Sequence, residues 1–494
     1  MGCVPAAHRM GRCFFPFIVS EMSEHKIHVE FPGRIVLVGF GSIGQGVLPL
    51  LLRHIGVPAE RITIVTAEDK GKVEAEQYGV RFIREPLTRE NYRRVLGALL
   101  GRGDFVINVS VNVSSLALVK LCWEKGAMYL DTCIEPWPGG YTDPTVPAGR
   151  RTNYALREEA LALRQGNERA PTALLTHGAN PGMVSHLVKQ ALLTIAADTG
   201  LSAPAPASRA EWGALARALG VKTIHIAERD TQRSNVPKQP GEFVNTWSID
   251  GFVSEGLQPS EMGWGTHERN FPRDGKRHES GSQAAIYLMQ PGAGTRVRTW
   301  TPRAGHFHGF CITHGESISI ADYFSVREGS QVVYRPTVHY AYHPCDAAVM
   351  SVHELAGRNY VQQEHQRLLM EEIVSGIDEL GVLLAGHKKN AYWYGSQLSI
   401  EEARRLAPWN NATSLQVTAA VLAGVVWAME NPNRGIVEPE EMDFRRALEI
   451  CRPYLGPVVG HYTDWTPLHE RGLLFPEDID ATDPWQFKNV RVTW

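Results

Sequence analysis

Residues 34–54 read RIVLVGFGSIGQGVLPLLLRH, and the order of residue types within them decides the fold of the N-terminal half. The run 34–38, RIVLV, is short, apolar and β-branched, as a buried strand requires. It passes directly into Gly39-Phe40-Gly41-Ser42-Ile43-Gly44, and the QGVLPLLLRH that follows carries apolar residues at helical spacing. Strand, glycine-rich turn and helix in this order are the context of a dinucleotide-binding fingerprint. Gly39 permits the tight turn, Gly41 lets the backbone approach a pyrophosphate, and Gly44 lets helix and strand pack closely. The start of the helix, at Ser42 and Ile43, offers free amides and a positive dipole end to phosphates.

Working outward, strands are predicted over 61–67 (RITIVTA), 79–83, 104–110 (DFVINVS) and 127–133 (AMYLDTC), with helices over 87–100 and 114–124. This alternation predicts a doubly wound parallel sheet, a Rossmann domain over residues 31–175. Ligands of such sheets lie beyond the carboxyl ends of the strands. Thr66, Ser110 and the segments Asn108–Ser114 and Asp131–Trp137 therefore become site candidates, the first two for the cofactor. Thr66 stands where an acid usually grips the adenine ribose, and Glu68 and Asp69 follow it, so the choice between NAD and NADP is blurred.

The chain of 494 residues is long enough for about two or three domains. A net charge of −3 gives no electrostatic reason to expect nucleic acid or a membrane surface as partner. Seven dispersed cysteines without a CxxC pair or a His/Cys cluster read as reduced thiols of a cytoplasmic protein, with no metal site. The uncharged run 412–429 holds several hydroxyls and a Gln, so a buried helix is expected in place of a membrane span. The leader MGCVPAAHRMGRCFFPFIVSEM has an apolar stretch that is short for a signal-peptide core and contains Pro16, with a targeting segment as the lesser alternative. Residues 1–30 are taken as a disordered or misannotated extension, with Met22 a natural start.

From about residue 171 the pattern changes. TALLTHGANPGMVSHLVKQAL reads as a strand, a turn holding Asn180, and a helix entered through Pro181. Short alternating runs over 220–350 predict a mixed or antiparallel sheet, an α+β domain over 176–400 for substrate and dimerisation. Helices are predicted at 361–379, 399–406 and 411–430, with 401–494 a C-terminal helical segment packing back on the Rossmann domain. This half concentrates Glu228, Trp247, Glu255, Trp264, His267 and Glu268, while Glu135 and Trp137 lie at a Rossmann strand end. Carboxylates pair with ammonium groups, and an indole face attracts a cation by about 0.5–2 kcal/mol. An apolar slot with an acid at each end would measure a diamine.

At these residues the sequence resembles bacterial homospermidine synthase, a relative of the saccharopine dehydrogenase group. The resemblance rests on GFGSIG (39–44), DTCIEPWPGGY (131–141), THGANPG (176–182), ERDTQ (228–232), NTWSIDGFVSEG (245–256), GWGTHE (263–268), AYWYGSQLS (391–399) and NATSLQVTAAVLAG (411–424). It implies a homodimer that condenses two putrescines to homospermidine with release of ammonia, spermidine being an alternative donor and NAD a resident redox cofactor. By position it gives Trp247 the reacting cation, and gives Glu228 and Glu255 the amine groups, with Glu255 nearest the chemistry. Glu135 would anchor the far ammonium. Asn180, His314 and Asp378 would line the site, His314 as a proton shuttle. His314 can also be read as a satisfied histidine at a sheet end, and Asp378 as a solvated helix acid. The family often carries an acid where this chain has Asn112, whose amide cannot neutralise an ammonium.

Three other readings compete. A saccharopine- or carboxynorspermidine-type dehydrogenase would need arginine or lysine at the slot for a substrate carboxylate. A non-catalytic NAD sensor would need only the glycine loop. Covalent catalysis has candidates in Lys388 and Lys389, which read more simply as exposed.

Overall fold

The structure is a computed structural model that describes residues 25–201 and 204–493. Residues 1–24 of the expected leader lie outside the described residues. Val29–Glu30 pairs in parallel with Ile55–Gly56, so described strand structure begins ahead of residue 31.

The N-terminal layer is built from β1 (Ile35–Val38), α1 (Ser42–His54), β2 (Ile62–Thr66), β3 (Arg81–Arg84), β4 (Phe105–Asn108), α2 (Ser115–Lys125), β5 (Met128–Asp131) and β6 (Ala173–Leu174). All pairings are parallel, in the order β6-β5-β4-β1-β2-β3, and Ile436–Val437 adds a seventh strand beside β6. Every residue of β1 is buried because both faces are covered. Ile35 and Leu37 face the cluster that includes α1, whereas Val36 and Val38 face the one that includes α2. The helix expected over 87–100 is confined to Tyr92–Gly97.

The chain then runs through α3 (Met183–Asp198) into a mixed sheet. In chain order its elements are β7 (Thr223–Asp230), α4 (Ile249–Leu257), β8 (Pro259–Gly263), β9 (Gly275–Arg277), β10 (Ala285–Pro291), β11 (Arg296–Thr301), β12 (Gly305–Phe310), α5 (Gly315–Tyr323), β13 (Thr337–His343), β14 (Ile377–His387), β15 (Asn390–Ser399), α6 (Ala412–Glu430) and β16 (Val458–Thr463). The ten strands follow the order β9-β10-β8-β13-β7-β14-β15-β16, with the β11–β12 hairpin attached to β13 through Phe310 and Tyr342. β13 and β7 are parallel, and the other pairs are antiparallel.

Two expectations need correction. The segment 361–379 is not a helix: it holds the strands His365–Leu368 and Ile373–Ser375 and then enters β14, so Asp378 is a strand residue. Its apolar positions pack across strands in place of one helix face. Nor is 401–494 wholly helical or confined to the first layer, because β16 closes the edge of the second sheet. α6 is long and apolar enough to cross a membrane, but 89% of its 18-residue apolar stretch is buried within the protein. It packs on α1, β15 and the helix Phe444–Cys451, and so belongs to both layers.

Arg157 ties the layers together. Lying on the helix Asn153–Ala162, it donates from Nε and Nη2 to Glu438 at 2.6 and 2.8 Å, and from Nη2 to Asp322 of α5 at 2.9 Å. Removing one member of a buried ion pair leaves the other charge uncompensated and costs about 3–5 kcal/mol. Arg209 also reaches Asp322, at 2.7 Å, which places Arg157→Leu toward the lower end, at about 3 kcal/mol. The shift of the urea midpoint measures this, and a loss below about 1 kcal/mol would show that the network does not join the layers.

Candidate active site

The carboxyl ends of the parallel strands deliver Gly39–Ile43, Thr66–Glu68, Ser110–Val113 and Thr132–Cys133 to one edge of the first sheet. They form one wall of a cavity of about 410 Å³. The opposite wall comes from the second sheet: Glu228 on β7, Tyr340 on β13, Trp247 just before α4, Glu255 within α4, and His314 just before α5.

At the first wall the glycines have separate tasks. Gly39 has φ +89°, and a Cβ there would lie 2.8 Å from the backbone of Ser110. A Cβ at Gly44 would meet the Gly39 carbonyl oxygen at 2.6 Å, so Gly44 serves packing and is not among the lining residues. A Cβ at Gly41 would meet nothing within 4 Å: the loop faces open space there. No side chain caps α1 and no acid occupies its first turn, so its leading amides stay free for an anion. Loop, room and uncapped helix together fit a dinucleotide pyrophosphate. Beyond β2, Glu68 and Glu85 line the cavity, while Asp69 pairs with Arg84 at 2.7 Å.

At the second wall, Glu228 Oε2 accepts hydrogen bonds from Asn180 Nδ2 at 3.0 Å and from the Tyr340 hydroxyl at 2.5 Å. Burial pushes this carboxyl above its ordinary range, and neighbouring Asp230 adds to the shift. Facing them from the first wall, Glu135 accepts from the Asn112 backbone amide at 3.0 Å. Burial, reinforced by Glu255 and Asp131, lifts Glu135 to about 8. Trp247 donates its indole N–H to the Tyr342 hydroxyl at 3.0 Å, which fixes the ring at the cavity wall. His314 lies between Glu255, 3.1 Å from Nε2, and Glu316, 3.2 Å from Nδ1. Lys70, at the nucleotide end, is the sole lysine or arginine among the described residues that line the cavity.

This arrangement has close counterparts. Residues 35–175 match the saccharopine dehydrogenase NADP binding domain, and residues 178–464 the saccharopine dehydrogenase C-terminal domain. The chain is 57% identical to a homospermidine synthase of Blastochloris viridis over 475 residues, covering 95% of this chain and 100% of the relative. It is 53% identical to the homospermidine synthase of Mesorhizobium japonicum, covering 94% and 98%. The crystal structure of the homospermidine synthase of Legionella pneumophila in complex with NAD superposes with a TM-score of 0.89 at 52% identity, over 94% of this chain and 98% of that one. The chain belongs to the homospermidine synthase family.

In this homospermidine synthase family member the fold brings Gly39, Gly41, Ser42, Ile43, Thr66, Ser110, Asn112, Glu135, Asn180, Glu228, Trp247, Glu255 and His314 to one cavity. Asp378 lies behind that wall. It is wholly buried on β14, opposite Asp230 in the strand register, and is no solvated acid. Burial and the charges of Glu228 and Asp230 hold its carboxyl well above the ordinary range. Trp264, His267 and Glu268 are elsewhere: Trp264 packs on Phe271 and Phe487, His267 meets the Trp485 carbonyl, and Glu268 accepts from Thr337 and the Phe487 amide. Trp137 packs on Tyr92. Sequence reasoning missed Tyr340 and Tyr342, although their spacing in HYAYH places both on one face of a strand. It also missed Glu316, two residues from His314.

The buried acids make stability depend on pH. Glu135 is raised to about 8, and Glu261 and Asp131 to about 7, each chiefly by burial. A raised carboxyl lends stability fully at low pH and loses it as pH rises through its folded value. The neutral buried histidines His177 and His339 act oppositely, but only below pH 6.5, their folded values being about 4 and 3. Between pH 6.5 and 8 the thermal midpoint of the unliganded protein should therefore fall. A midpoint that rises to pH 8 without ligand would refute this account.

Proposed function

We propose that this protein condenses two putrescines to homospermidine and ammonia, with spermidine as an alternative donor that releases diaminopropane. The observation that carries this reading is a single cavity whose one wall suits a dinucleotide and whose other wall is acidic and aromatic. A saccharopine- or carboxynorspermidine-type dehydrogenase would need a cation on that second wall for the substrate carboxylate.

NAD is the cofactor, held by Gly39–Ile43 with Thr66 and Ser110 at the strand ends, and when bound it supplies a reversible acceptor for a hydride. The protein binds and orients amines around it. Glu228, fixed by Asn180 and Tyr340, pairs with the ammonium at one end of the diamine. Asp378 lies behind Glu228, where burial and the charges of Glu228 and Asp230 favour its neutral form. Glu135, fixed by the Asn112 amide, anchors the opposite end. Glu255 lies nearest the reacting nitrogen and attracts its positive charge. The Trp247 face stabilises the substrate iminium whose carbon the second amine attacks as ammonia leaves. No net oxidation occurs, because the aminobutyl carbon begins and ends as an amine.

Incubation of purified protein with putrescine and substoichiometric NAD, followed by mass spectrometry of polyamines, tests the reading. Homospermidine without net NADH is expected; stoichiometric NADH with no new polyamine would make this an amine dehydrogenase. Trp247→Leu should lower kcat roughly tenfold or more, as befits a desolvated cation–π contact of up to ~2 kcal/mol. The unfolding midpoint should move little, whereas equal losses of turnover and stability would make Trp247 a packing residue only.

A further inference from the structure

His314 has a carboxylate oxygen at each ring nitrogen: Glu255 at 3.1 Å from Nε2 and Glu316 at 3.2 Å from Nδ1. A neutral imidazole has one N–H and one lone pair, so either tautomer would aim a lone pair at a carboxylate. Only the imidazolium donates to both. The ring is further constrained by stacking on Tyr340, with centroids 4.3 Å apart and planes at 30°. Glu316 is 1% exposed, lies in the first turn of α5, and has no hydrogen-bond partner for Oε2 among the described residues. His314 lines the cavity and Glu316 does not.

We infer that Glu316 is a positioning residue that holds His314 doubly protonated, so that His314 is a fixed donor to Glu255 and not a proton shuttle. Because Glu255 Oε2 accepts from His314, its second oxygen is left for the substrate amine. The groups facing His314 are Glu316 beside it in sequence, Glu255 from α4, Tyr340 from β13 and, at longer range, Glu228 from β7. Burial disfavours the imidazolium, but Glu316 and Glu255 outweigh it and lift His314 to about 10. The inference rests on the proposed amine chemistry for its consequence, though not for the state of the ring.

The test compares pH–rate profiles of the wild-type NAD-loaded enzyme, Glu316→Gln and Glu316→Asp with putrescine. Glutamine can still accept from Nδ1 but carries no charge. E316Q should keep kcat within about threefold at pH 7 and lose roughly tenfold at pH 9 as the alkaline limb moves down by a pH unit or more. E316D should recover most of the limb, and in a His314→Gln background E316Q should add nothing. A uniform loss at every pH, unrescued by aspartate, would overturn the inference and leave Glu316 a packing residue. If E316Q fails to fold, the size of the E316D limb shift and its disappearance with H314Q decide the same question. Histidine ¹⁵N spectra, assigned with H314Q, are independent of turnover: an imidazolium at pH 8 in the wild type is expected, and a neutral ring would overturn the inference. Wild-type protein that makes no homospermidine but shows the imidazolium would instead overturn the reaction and leave the role of Glu316 standing.

Discussion

Glu228, Asp230 and Asp378 lie on two neighbouring strands, each at most 2% exposed, and among the described residues no lysine or arginine forms an ion pair with any of them. Burying carboxylates without a countercharge is unfavourable unless hydrogen bonds or protons compensate. Here neutral donors take that part: Asn180 and Tyr340 at Glu228, and Gln232 and Thr246 at Asp230. The electrostatic debt is only partly settled by these donors, and the raised carboxyls record the remainder. A ligand cation can supply what the protein withholds. The surroundings of the cavity thus favour a positive charge as much as its lining does.

The fold sets up this condition by joining two sheets of different kind. The parallel sheet ends in amides and small residues, which suit a phosphate-bearing cofactor and contribute few charges. The second sheet contributes its acids from β7 and β14, which lie inside the sheet with strands on both sides, so their side chains cannot reach solvent easily. α6 supports both: it packs on α1 of the first layer and on β14 and β15 of the second. Its Asn411 cap also donates to the carbonyl of Thr246, the residue before Trp247. The helix that looks most like a membrane span is therefore the shared wall behind cofactor and substrate.

The parallel half of the fold was legible because its signals are local. GFGSIG lies between a buried strand and a helix within about twenty residues, and each glycine there has a steric task that sequence position alone suggests. The acidic half was legible only in part. Glu228, Trp247 and Glu255 meet in the cavity, but Trp264, His267 and Glu268, equally near in sequence, serve the packing of the C-terminal segment. Sequence proximity does not tell which face of a strand or which side of a sheet a residue occupies. Segment 361–379 failed for a related reason: short apolar runs between polar residues satisfy a helical period and a pair of brief strands equally well. Tyr340 was invisible as a site residue because its part is to fix Glu228, and no spacing rule encodes a partner on another strand; Glu316, two residues from His314, reads in the sequence as an ordinary acid in the first turn of a helix.

Under the proposed aminobutyl transfer, one cavity would serve every stage because the stages share a charge. The bound diamine, the iminium formed from it and the polyamine product are all cations at the reacting end. Carboxylates and an indole face, arranged once, attract each of them, so no large rearrangement of charge is needed between steps. What must change is the proton count on nitrogen, since a nucleophilic amine is neutral when it attacks. Here the acids differ usefully. Glu135 and Glu228 are held only by neutral donors and can give up or take a proton near neutrality, while Glu255 is tethered to a histidine that is itself held as a cation. A site with all its carboxylates in one environment would bind diamines well and have no graded means of releasing a proton from them.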